Sequence, residues 1–285
     1  MIEYRKLAHE DYDDILDICK DIWGGTDYLP EIFHKWVDDK GLFLGAVDTD
    51  ANKVIGTDKY SVLYDGSGWL EGLRTHKDYR GRGIGKELAL RTFNKALEDL
   101  GSGRINKIAF STSALSVESI SLMTKLGFKL KQEYKFIWKE YSDADNSLSI
   151  GDFAAESWKP SYDEFANLPY IKRRDGILPF VFLFQKPTPE LYEELLKEKC
   201  FVSINGHKGL FKLKGDPHFI VFDESFEGIN TFMNYYLLTL AGKCLVPPLT
   251  SVMPADAELI EALHAAGFGM MDPSTCDYLY YIYEE

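Results

Sequence analysis

The spacing of apolar residues in the N-terminal half of the chain predicts a series of short regular elements. Apolar and polar residues alternate over 2–7, which is typical of a strand, and apolar residues recur at helical intervals over 9–23. One face of that helix carries Tyr12, Ile15, Cys19 and Ile22. The segment GGTDYLP breaks the pattern, and a second helix is predicted to begin near Pro30, because proline is favoured early in a helix.

The next part of the chain predicts a strand meander followed by alternating helices and strands. Strands are predicted over 42–47, 53–63 and 68–75, joined by the turns DTDAN and YDGSG, and sequential strands of this kind pair antiparallel. A helix over 83–100, a strand over 105–111, a helix over 117–126 that ends at Gly127, and a strand over 132–141 complete the pattern. The order β-α-α-β-β-β-α-β-α-β predicts an α/β domain in which helices are layered on a sheet.

A polar segment separates this pattern from the second half of the chain. Residues 142–152, SDADNSLSIGD, are small and polar, so they are predicted to link a domain over 1–141 to another over 153–285. Residues 236–268 align with 96–128 without a gap at an offset of 140 (267 − 127), and both segments end in Gly-Phe. The alignment predicts that the second half is a degenerate copy of the first, with a chance match of common residues as the alternative.

Composition and charge exclude several classes of protein. The 285 residues include 32 Lys and Arg against 45 Asp and Glu, and the net charge of −13 argues against nucleic acid or an anionic membrane as partner. No apolar run reaches the roughly 20 residues of a membrane span, and the N-terminus lacks the pattern of a secretory signal. The four cysteines are scattered and the six histidines lack metal-ligand spacing, so we expect free thiols, a cytoplasmic protein and no metal site.

The segment HKDYRGRGIGKEL, residues 76–88, carries the strongest chemical signal. A glycine-rich turn that enters a helix exposes unpaired backbone N–H groups beside the positive end of the helix dipole, and both favour an anion. The dinucleotide fingerprint GxGxxG fails because Leu88 stands at the third glycine position. The P-loop fails as well, since Arg80 stands at its first glycine and Glu87 at its magnesium-binding Ser or Thr.

The pattern RxxGxG at 80–85 follows LEGLRTHKDY and precedes KLGF at 125–128, and this combination resembles the GNAT superfamily of acyltransferases. The resemblance covers residues 2–141 and implies a mixed-sheet GNAT fold that binds acetyl-CoA as cosubstrate. In the family, glycines let the backbone approach the coenzyme pyrophosphate, and the preceding strand pairs with the pantetheine arm as an added strand. The implied coenzyme contacts are Leu73, Arg74, Thr75, Arg80, Gly81, Arg82, Gly83, Ile84, Gly85, Lys86, Ser116 and Ser119.

Glu71 stands where many members of the family place the general base. An α-amino group with a pKa of about 7.7–8.0 is mostly protonated at neutral pH, so it must lose a proton before it attacks. An outward-facing strand carboxylate is the alternative interpretation of Glu71.

Met123 is the main departure from the family pattern, because relatives commonly have a tyrosine there that protonates the leaving thiolate. Methionine cannot donate a proton, but a thiol of pKa about 8.5 is a good leaving group. The groups that could replace the tyrosine are water and the side chains of Ser111, Thr112, Ser113 and Tyr134.

The segment DYLP at 27–30, Trp36 and WLEGLR at 69–74 are similar to histidine N-acetyltransferase-like members of the family. In the superfamily the loop between the first two helices usually lines the acceptor pocket. Asp27 and Tyr28 are therefore candidate acceptor contacts, with Ser111 as a third. The alternative for Asp27 and Tyr28 is a plain helix cap beside a packed aromatic ring.

The resemblance thus implies an N-acetyltransferase that moves an acetyl group from acetyl-CoA to a small-molecule amine, a free amino acid, by direct attack in a ternary complex. A protein or peptide amine is the alternative acceptor, and a non-catalytic acyl-CoA-binding regulator is the alternative function. The offset places Ile220–Ser225 where Arg80–Gly85 stand, without glycines and with two acids, so the second half is not expected to bind the coenzyme. We expect a monomer or a homodimer.

Overall fold

The computed structural model describes residues 1–214, 216–271 and 275–284 and divides into two compact units. Unit 1 contains Met1–Ser111, Glu118–Lys129 and the residues from Tyr281 onward, and unit 2 contains Thr112–Val117 and Leu130–Tyr280. The segment 142–152 lies within unit 2, between short helical turns at Tyr141–Asp143 and Ile150–Asp152. The linker at this position stays a prediction.

The first ten helices and strands follow the predicted order. They are β1 (Ile2–Lys6), α1 (Tyr12–Cys19), α2 (Leu29–Asp38), β2 (Gly41–Asp48), β3 (Lys53–Val62), β4 (Ser67–Thr75), α3 (Ile84–Gly101), β5 (Lys107–Ser113), α4 (Val117–Lys125) and β6 (Phe128–Trp138). The largest errors in the predicted boundaries concern α1 and β6. α1 ends at Cys19, and a separate helical turn with left-handed backbone at Trp23 and Gly24 follows it. β6 begins at Phe128, directly after Gly127 with φ +100°, and ends at Trp138 rather than at 141.

The sheet of unit 1 has the strand order β1-β2-β3-β4-β5. β1 to β4 pair antiparallel, as the meander predicts, and β5 pairs with β4 in parallel. Residues of α1 and α2 cover one face, where Phe33, Trp36 and Phe43 belong to the core. α3 covers the other face, where Leu88 packs against Ile55 and its neighbours.

A bulge interrupts the pairing of β3 and β4. β3 advances two residues from Thr57 to Lys59 while β4 advances three from Glu71 to Arg74. Gly72 supplies the extra turn with φ +75°, and a Cβ there would lie 2.5 Å from the ring of Trp36. Glycine therefore meets both the backbone and the packing requirement, and the bulge interrupts the ladder of β4, where the hydroxyl of Thr57 donates to the carbonyl of Gly72 at 2.9 Å.

β4 and β5 separate beyond this point. Ser67–Trp69 pairs with Lys107–Ala109, and no further pair joins these two strands within the described residues. β4 nevertheless continues to Thr75, so the backbone edge of its second half that faces β5 is open.

In unit 2 the strand order is β6-β13-β12-β11-β10-β7. Its further elements are β7 (Ala155–Ser157), α5 (Tyr162–Ala166), α6 (Pro169–Lys172), β8 (Leu178–Phe180), β9 (Leu183–Gln185), α7 (Pro189–Lys197), β10 (Phe201–Ile204), β11 (His207–Lys212), β12 (His218–Val221), α8 (Phe226–Leu240), β13 (Leu249–Val252), α9 (Ala257–Ala265) and β14 (Tyr278–Tyr283), the last shared with unit 1. Phe219, Phe232 and Leu237 belong to the apolar core that α8 forms with this sheet.

The two units share an order of pairing. β10, β11 and β12 pair antiparallel and β13 pairs with β12 in parallel, which is the pattern of β2 to β5. α9 spans Ala257–Ala265, which is α4 (Val117–Lys125) displaced by 140 positions (257 − 117). The order helix, strand, helix of α3, β5 and α4 thus occurs again as α8, β13 and α9.

Candidate active site

The glycine-rich turn joins β4 to α3 and lies exposed. Gly81 and Gly83 have φ of +76° and +79°, and a Cβ at either position would have no atom within 4 Å. α3 begins at Ile84 directly after Gly83, so its first backbone N–H groups have no partner within the helix. Open space, left-handed glycines and a positive helix end fit a pyrophosphate, which is the anion that the turn was predicted to hold.

The cations of the turn are exposed and only partly engaged. The Nε of Arg80 donates to the carbonyl of Thr75 at 3.3 Å, and an Nη of Arg82 donates to the carbonyl of Asp78 at 2.9 Å. Since a guanidinium has five N–H donors, both arginines retain donors for an anion. Lys86 is exposed one turn into α3.

The strand predicted to hold the pantetheine arm has one paired and one open edge. Arg74 and Thr75 pair with Thr57 and Gly56 of β3, and the opposite edge faces the gap toward β5. Leu73 is half-buried within the bulge that precedes them. An extended chain can add to such an edge through backbone hydrogen bonds.

Glu71 is half-buried on β4, immediately before Gly72 of the bulge. The hydroxyl of Ser61 donates to its Oε1 at 2.7 Å. Burial raises the pKa of Glu71 to about 7, against the opposing effects of the Ser61 hydrogen bond and the charge of Lys59. A carboxyl group that titrates near neutrality is suited to accept a proton from an amine at physiological pH.

Sequence reasoning missed two residues beside Glu71. Ser61 and Lys59 both lie on β3, and Lys59 is the direct cross-strand neighbour of Glu71. In the segment TDKYSV the alternation of polar and apolar residues suggests that Lys59 faces solvent, yet it is completely buried. No local signal could reveal this, because the burial comes from the helices that cover both faces of the sheet.

Asp27 is occupied by contacts within unit 1. It accepts a hydrogen bond from the backbone N–H of Leu29 at 3.1 Å and holds Arg74 through Nε at 2.8 Å and an Nη at 3.1 Å. Its side chain has 0% exposure. Any effect of Asp27 on an acceptor therefore acts through Arg74, which the carboxylate fixes in place.

Tyr28 belongs to a group of aromatic rings beside Arg74. The Arg74 guanidinium carbon lies 5.5 Å from the ring centroid of Tyr28 and 4.9 Å from that of Trp23. Tyr28 stacks on Trp23 at 6.2 Å and meets the edge of Trp36 at 6.3 Å. Trp23 is 60% exposed and has φ +47°, a left-handed conformation that is rare for a bulky residue. Sequence reasoning did not single out Trp23.

The groups considered for protonating the thiolate occupy different environments. Met123 is 5% exposed in α4. Tyr134 is fully buried in unit 2, where its hydroxyl donates to the Oε1 of Gln132 at 2.8 Å. Ser111 is half-buried on β5.

The two serines predicted to contact the coenzyme lie at the start of α4. Ser116 immediately precedes the helix, and its backbone N–H donates to the carbonyl of Ser113 at 2.9 Å. Ser119 is half-buried in the first turn of α4. Their roles toward a coenzyme stay predictions.

The positions in unit 2 that correspond to the glycine turn have different chemistry. Asp223 accepts hydrogen bonds from the backbone and hydroxyl of Ser225, at 3.1 and 2.9 Å. Glu224 forms ion pairs with Arg173 and the buried Arg174. At an offset of 140 the three glycines align with Val221, Asp223 and Ser225. Without glycines and with two carboxylates that have internal partners, this segment does not offer an anion site.

Three further chemical features concern the whole described chain. No group of three or more His, Cys, Asp and Glu side chains at the described positions could hold a metal ion. Among the helices of residues 1–214, 216–271 and 275–284, none combines the length and the apolar character needed to cross a bilayer. All four cysteines are free thiols.

Comparison with known sequences finds a similarity to one family in the N-terminal part of the chain. The acetyltransferase (GNAT) family matches residues 9–128. Histidine N-acetyltransferase from Oreochromis niloticus is 33% identical over 84 residues, which cover 29% of this chain and 25% of that protein. The protein of the same name from Xenopus tropicalis is 35% identical over 83 residues, with the same two coverages of 29% and 25%. The match therefore spans only a quarter of the length of these relatives.

Solved structures resemble the chain over nearly its full length. A GCN5-related N-acetyltransferase from Sphaerobacter thermophilus has a TM-score of 0.63 at 12% identity and covers 99% of this chain and 95% of its own. A putative acetyltransferase from Thermoplasma acidophilum has a TM-score of 0.60 at 16% identity, with coverages of 99% and 100%. At these identities the likeness concerns the fold, which is α/β with a mixed sheet.

Proposed function

We propose that this chain, which contains a GNAT-family acetyltransferase domain over residues 9–128, transfers the acetyl group of acetyl-CoA to the amine of a free amino acid. The observation that carries the proposal is the position of Glu71, a carboxyl group that titrates near neutrality beside the bulge of β4. The names of the relatives support histidine as the first acceptor to test.

The geometry supports a ternary-complex reaction. Acetyl-CoA, when bound, supplies the acetyl group as an activated thioester. The glycine turn binds the pyrophosphate and the open edge of β4 pairs with the extended arm, which directs the thioester toward the bulge. Glu71 accepts the proton that the attacking amine releases, and a backbone N–H freed by the bulge donates to the carbonyl oxygen that gains negative charge.

The leaving thiolate needs no tyrosine in this scheme. A thiol of pKa about 8.5 leaves readily, so water or a hydroxyl such as that of Ser111 suffices to protonate it. Met123 then serves in packing alone, in agreement with its burial in α4.

We assign acceptor contact to an aromatic wall formed by Trp23, Tyr28 and Trp36. Trp36 packs against Gly72, the residue after Glu71, and Tyr28 and Trp23 extend the wall toward the surface. Arg74, which Asp27 fixes in place, packs against the rings of Trp23 and Tyr28. A planar side chain such as imidazole stacks favourably on rings of this kind.

We further propose that unit 2 is a degenerate GNAT-like module within the region 153–285. The gap-free offset of 140 positions and the shared order of strand pairing support a common origin. Because its turn has lost the glycines, we assign coenzyme binding to unit 1 alone.

The test is thiol release from acetyl-CoA in the presence of a panel of amino acids, polyamines and peptides, with the product identified by mass spectrometry. We expect release that depends on a free amino acid and yields its N-acetyl derivative. Acetylation of peptides alone would assign the alternative acceptor class. Tight acetyl-CoA binding without transfer to any amine would indicate a non-catalytic acyl-CoA-binding regulator.

A further inference from the structure

We propose that Lys59 is a positioning residue of the acetyl transfer, whose buried ammonium group keeps Glu71 in the carboxylate form that accepts the proton. This inference rests on the proposed function. It concerns a residue that neither the glycine turn nor the family pattern singles out.

Lys59 lies on the same face of the sheet as Glu71. The two residues are paired directly across β3 and β4, where Cβ atoms of opposite residues are about 4.5–5.5 Å apart. On the other side Lys59 is paired with Phe43 of β2, and its Nζ lies 6.0 Å from that ring. Lys59 therefore lies between Phe43 of the apolar core and the proposed base, Glu71.

The ammonium group of Lys59 is buried without a hydrogen-bond partner. The residue has 0% exposure, and its Nζ has no partner among the described residues. Burying a charge in this way is costly, and an apolar residue at such a position is often equally or more stabilising. Packing therefore gives no reason for a lysine here, whereas the carboxylate opposite gives an electrostatic one.

Several other groups share the surroundings of the pair. Ser61 of β3 donates directly to Glu71, and the charges of Lys35 in α2 and of Asp39, which directly follows α2, act on the carboxyl with opposite signs. Burial lowers the pKa of Lys59, and the charges of Asp39 and Glu71 oppose that effect by favouring its charged form. The further titratable or charged groups that interact electrostatically with Glu71 are Tyr28 and Asp58.

Within this set, Lys59 is the cation that lies directly opposite the carboxyl. Burial alone favours the protonated acid, and a nearby positive charge opposes that effect by about one to three pKa units. The pKa of Glu71 near 7 is the net result. Without Lys59 a larger fraction of the Glu71 carboxyl groups would stay protonated at neutral pH, and the base would be less available.

The first experiment compares the pH dependence of kcat/KM in wild type and Lys59→Met, which keeps the length and removes the charge. In Lys59→Met we expect the rise of kcat/KM on the acidic side of the pH profile to shift up by about one pH unit. The kcat/KM of the variant should therefore be roughly tenfold lower at pH 6 and recover by pH 9. Lys59→Arg should keep the wild-type limb because it keeps the charge. Lys95→Met, on α3 at the opposite face of the sheet, is the matched control.

The second experiment needs no activity, so it separates this proposal from the proposed function. Glutamate carboxyl carbons are labelled with ¹³C and titrated by NMR without substrates, and the Glu71 signal is identified by its loss in Glu71→Gln. We expect a midpoint near 7 in the wild type and about one pH unit higher in Lys59→Met and in the alternative variant Lys59→Gln. A purely structural lysine would change the melting temperature and leave the midpoint in place, and that result would overturn the proposal.

Discussion

At the scale of single residues, the proposed base should reduce the stability of the fold at neutral pH. The pKa of Glu71 is raised in the folded protein, so the stability it contributes is full below its ordinary value of 4.5 and is lost as the pH rises through about 7. Glu71→Gln cannot ionise. Its free energy of unfolding should equal that of the wild type at pH 4 and exceed it by on the order of 1–3 kcal/mol at pH 8.

Denaturant unfolding at the two pH values measures this difference. Glu98→Gln is the control, because the Glu98 side chain on α3 is 71% exposed and its substitution should have the same small effect at both. An equal stability of Glu71→Gln and wild type at pH 8 would contradict the desolvation of this carboxyl.

Met123 gives a second prediction at the same scale. If it only fills space in the core, Met123→Leu should retain most of the wild-type kcat/KM, because a volume-conserving exchange costs less than about 1.5 kcal/mol. Steady-state kinetics at several pH values check this. A large loss of kcat at normal stability would show that the thioether has a part in the reaction.

At the scale of residues, the sequence names candidates where a local motif exists and none elsewhere. Glu71 and the glycines stand in a contiguous segment with fixed spacing, so a pattern identifies them as candidates. Lys59 and Trp23 have no such pattern. Their proposed roles rest on a cross-strand register and on rings that meet in space, which only the fold reveals.

At the scale of elements, the turn between β4 and α3 can be tested independently of catalysis. Gly83→Asp places a Cβ and a negative charge where the pyrophosphate is proposed to bind. The φ of Gly83 is +79°, which lies in the left-handed region. We expect calorimetry to show loss of coenzyme A binding. Folding should persist, because no atom lies within 4 Å of the added Cβ.

Gly103→Asp is the matched control for this variant. Gly103 also has a left-handed φ, +74°, with nothing within 4 Å of an added Cβ, but it follows the C-terminal end of α3. It should bind coenzyme A as the wild type does. Equal affinity in both variants would remove the glycine turn from the proposed site.

The element order of unit 1 was predictable because each helix and strand carries its own periodicity. Errors occurred where that local signal competes with backbone geometry. The apolar spacing continues to Ile22, but two glycines with left-handed φ follow Trp23 and end the helical region, and the strand after α4 begins as soon as Gly127 turns the chain. The separation of β4 from β5 has no sequence signal beyond Gly72, since strand partners are set by distant residues.

At the scale of the whole molecule, the account predicts one coenzyme per chain. Ile220–Ser225 provides two acids with internal partners where unit 1 has its glycine turn. Titration calorimetry with coenzyme A should give a stoichiometry of one, and Gly83→Asp should reduce it to zero. A stoichiometry of two would contradict the proposed loss of binding in unit 2.

The composition of the two units was not predictable from the sequence. Unit 1 includes the residues from Tyr281 onward, and unit 2 includes most of β6, so neither unit is a continuous segment. A polar segment such as 142–152 marks a change in local composition, but long-range strand pairing leaves no local trace. The alignment at an offset of 140 matches the bounds of α4 and α9, and a common origin of the two halves stays a proposal.

The most direct test of the central claim is the pH profile of N-acetylhistidine formation by wild type and Glu71→Gln, followed by mass spectrometry. We predict a wild-type kcat/KM that rises through pH 7, as the Glu71 carboxyl loses its proton. The variant should be slower by roughly 10²–10⁴-fold at pH 7, with a smaller deficit at high pH and unchanged coenzyme affinity. Wild-type activity in Glu71→Gln at pH 7 would contradict the account.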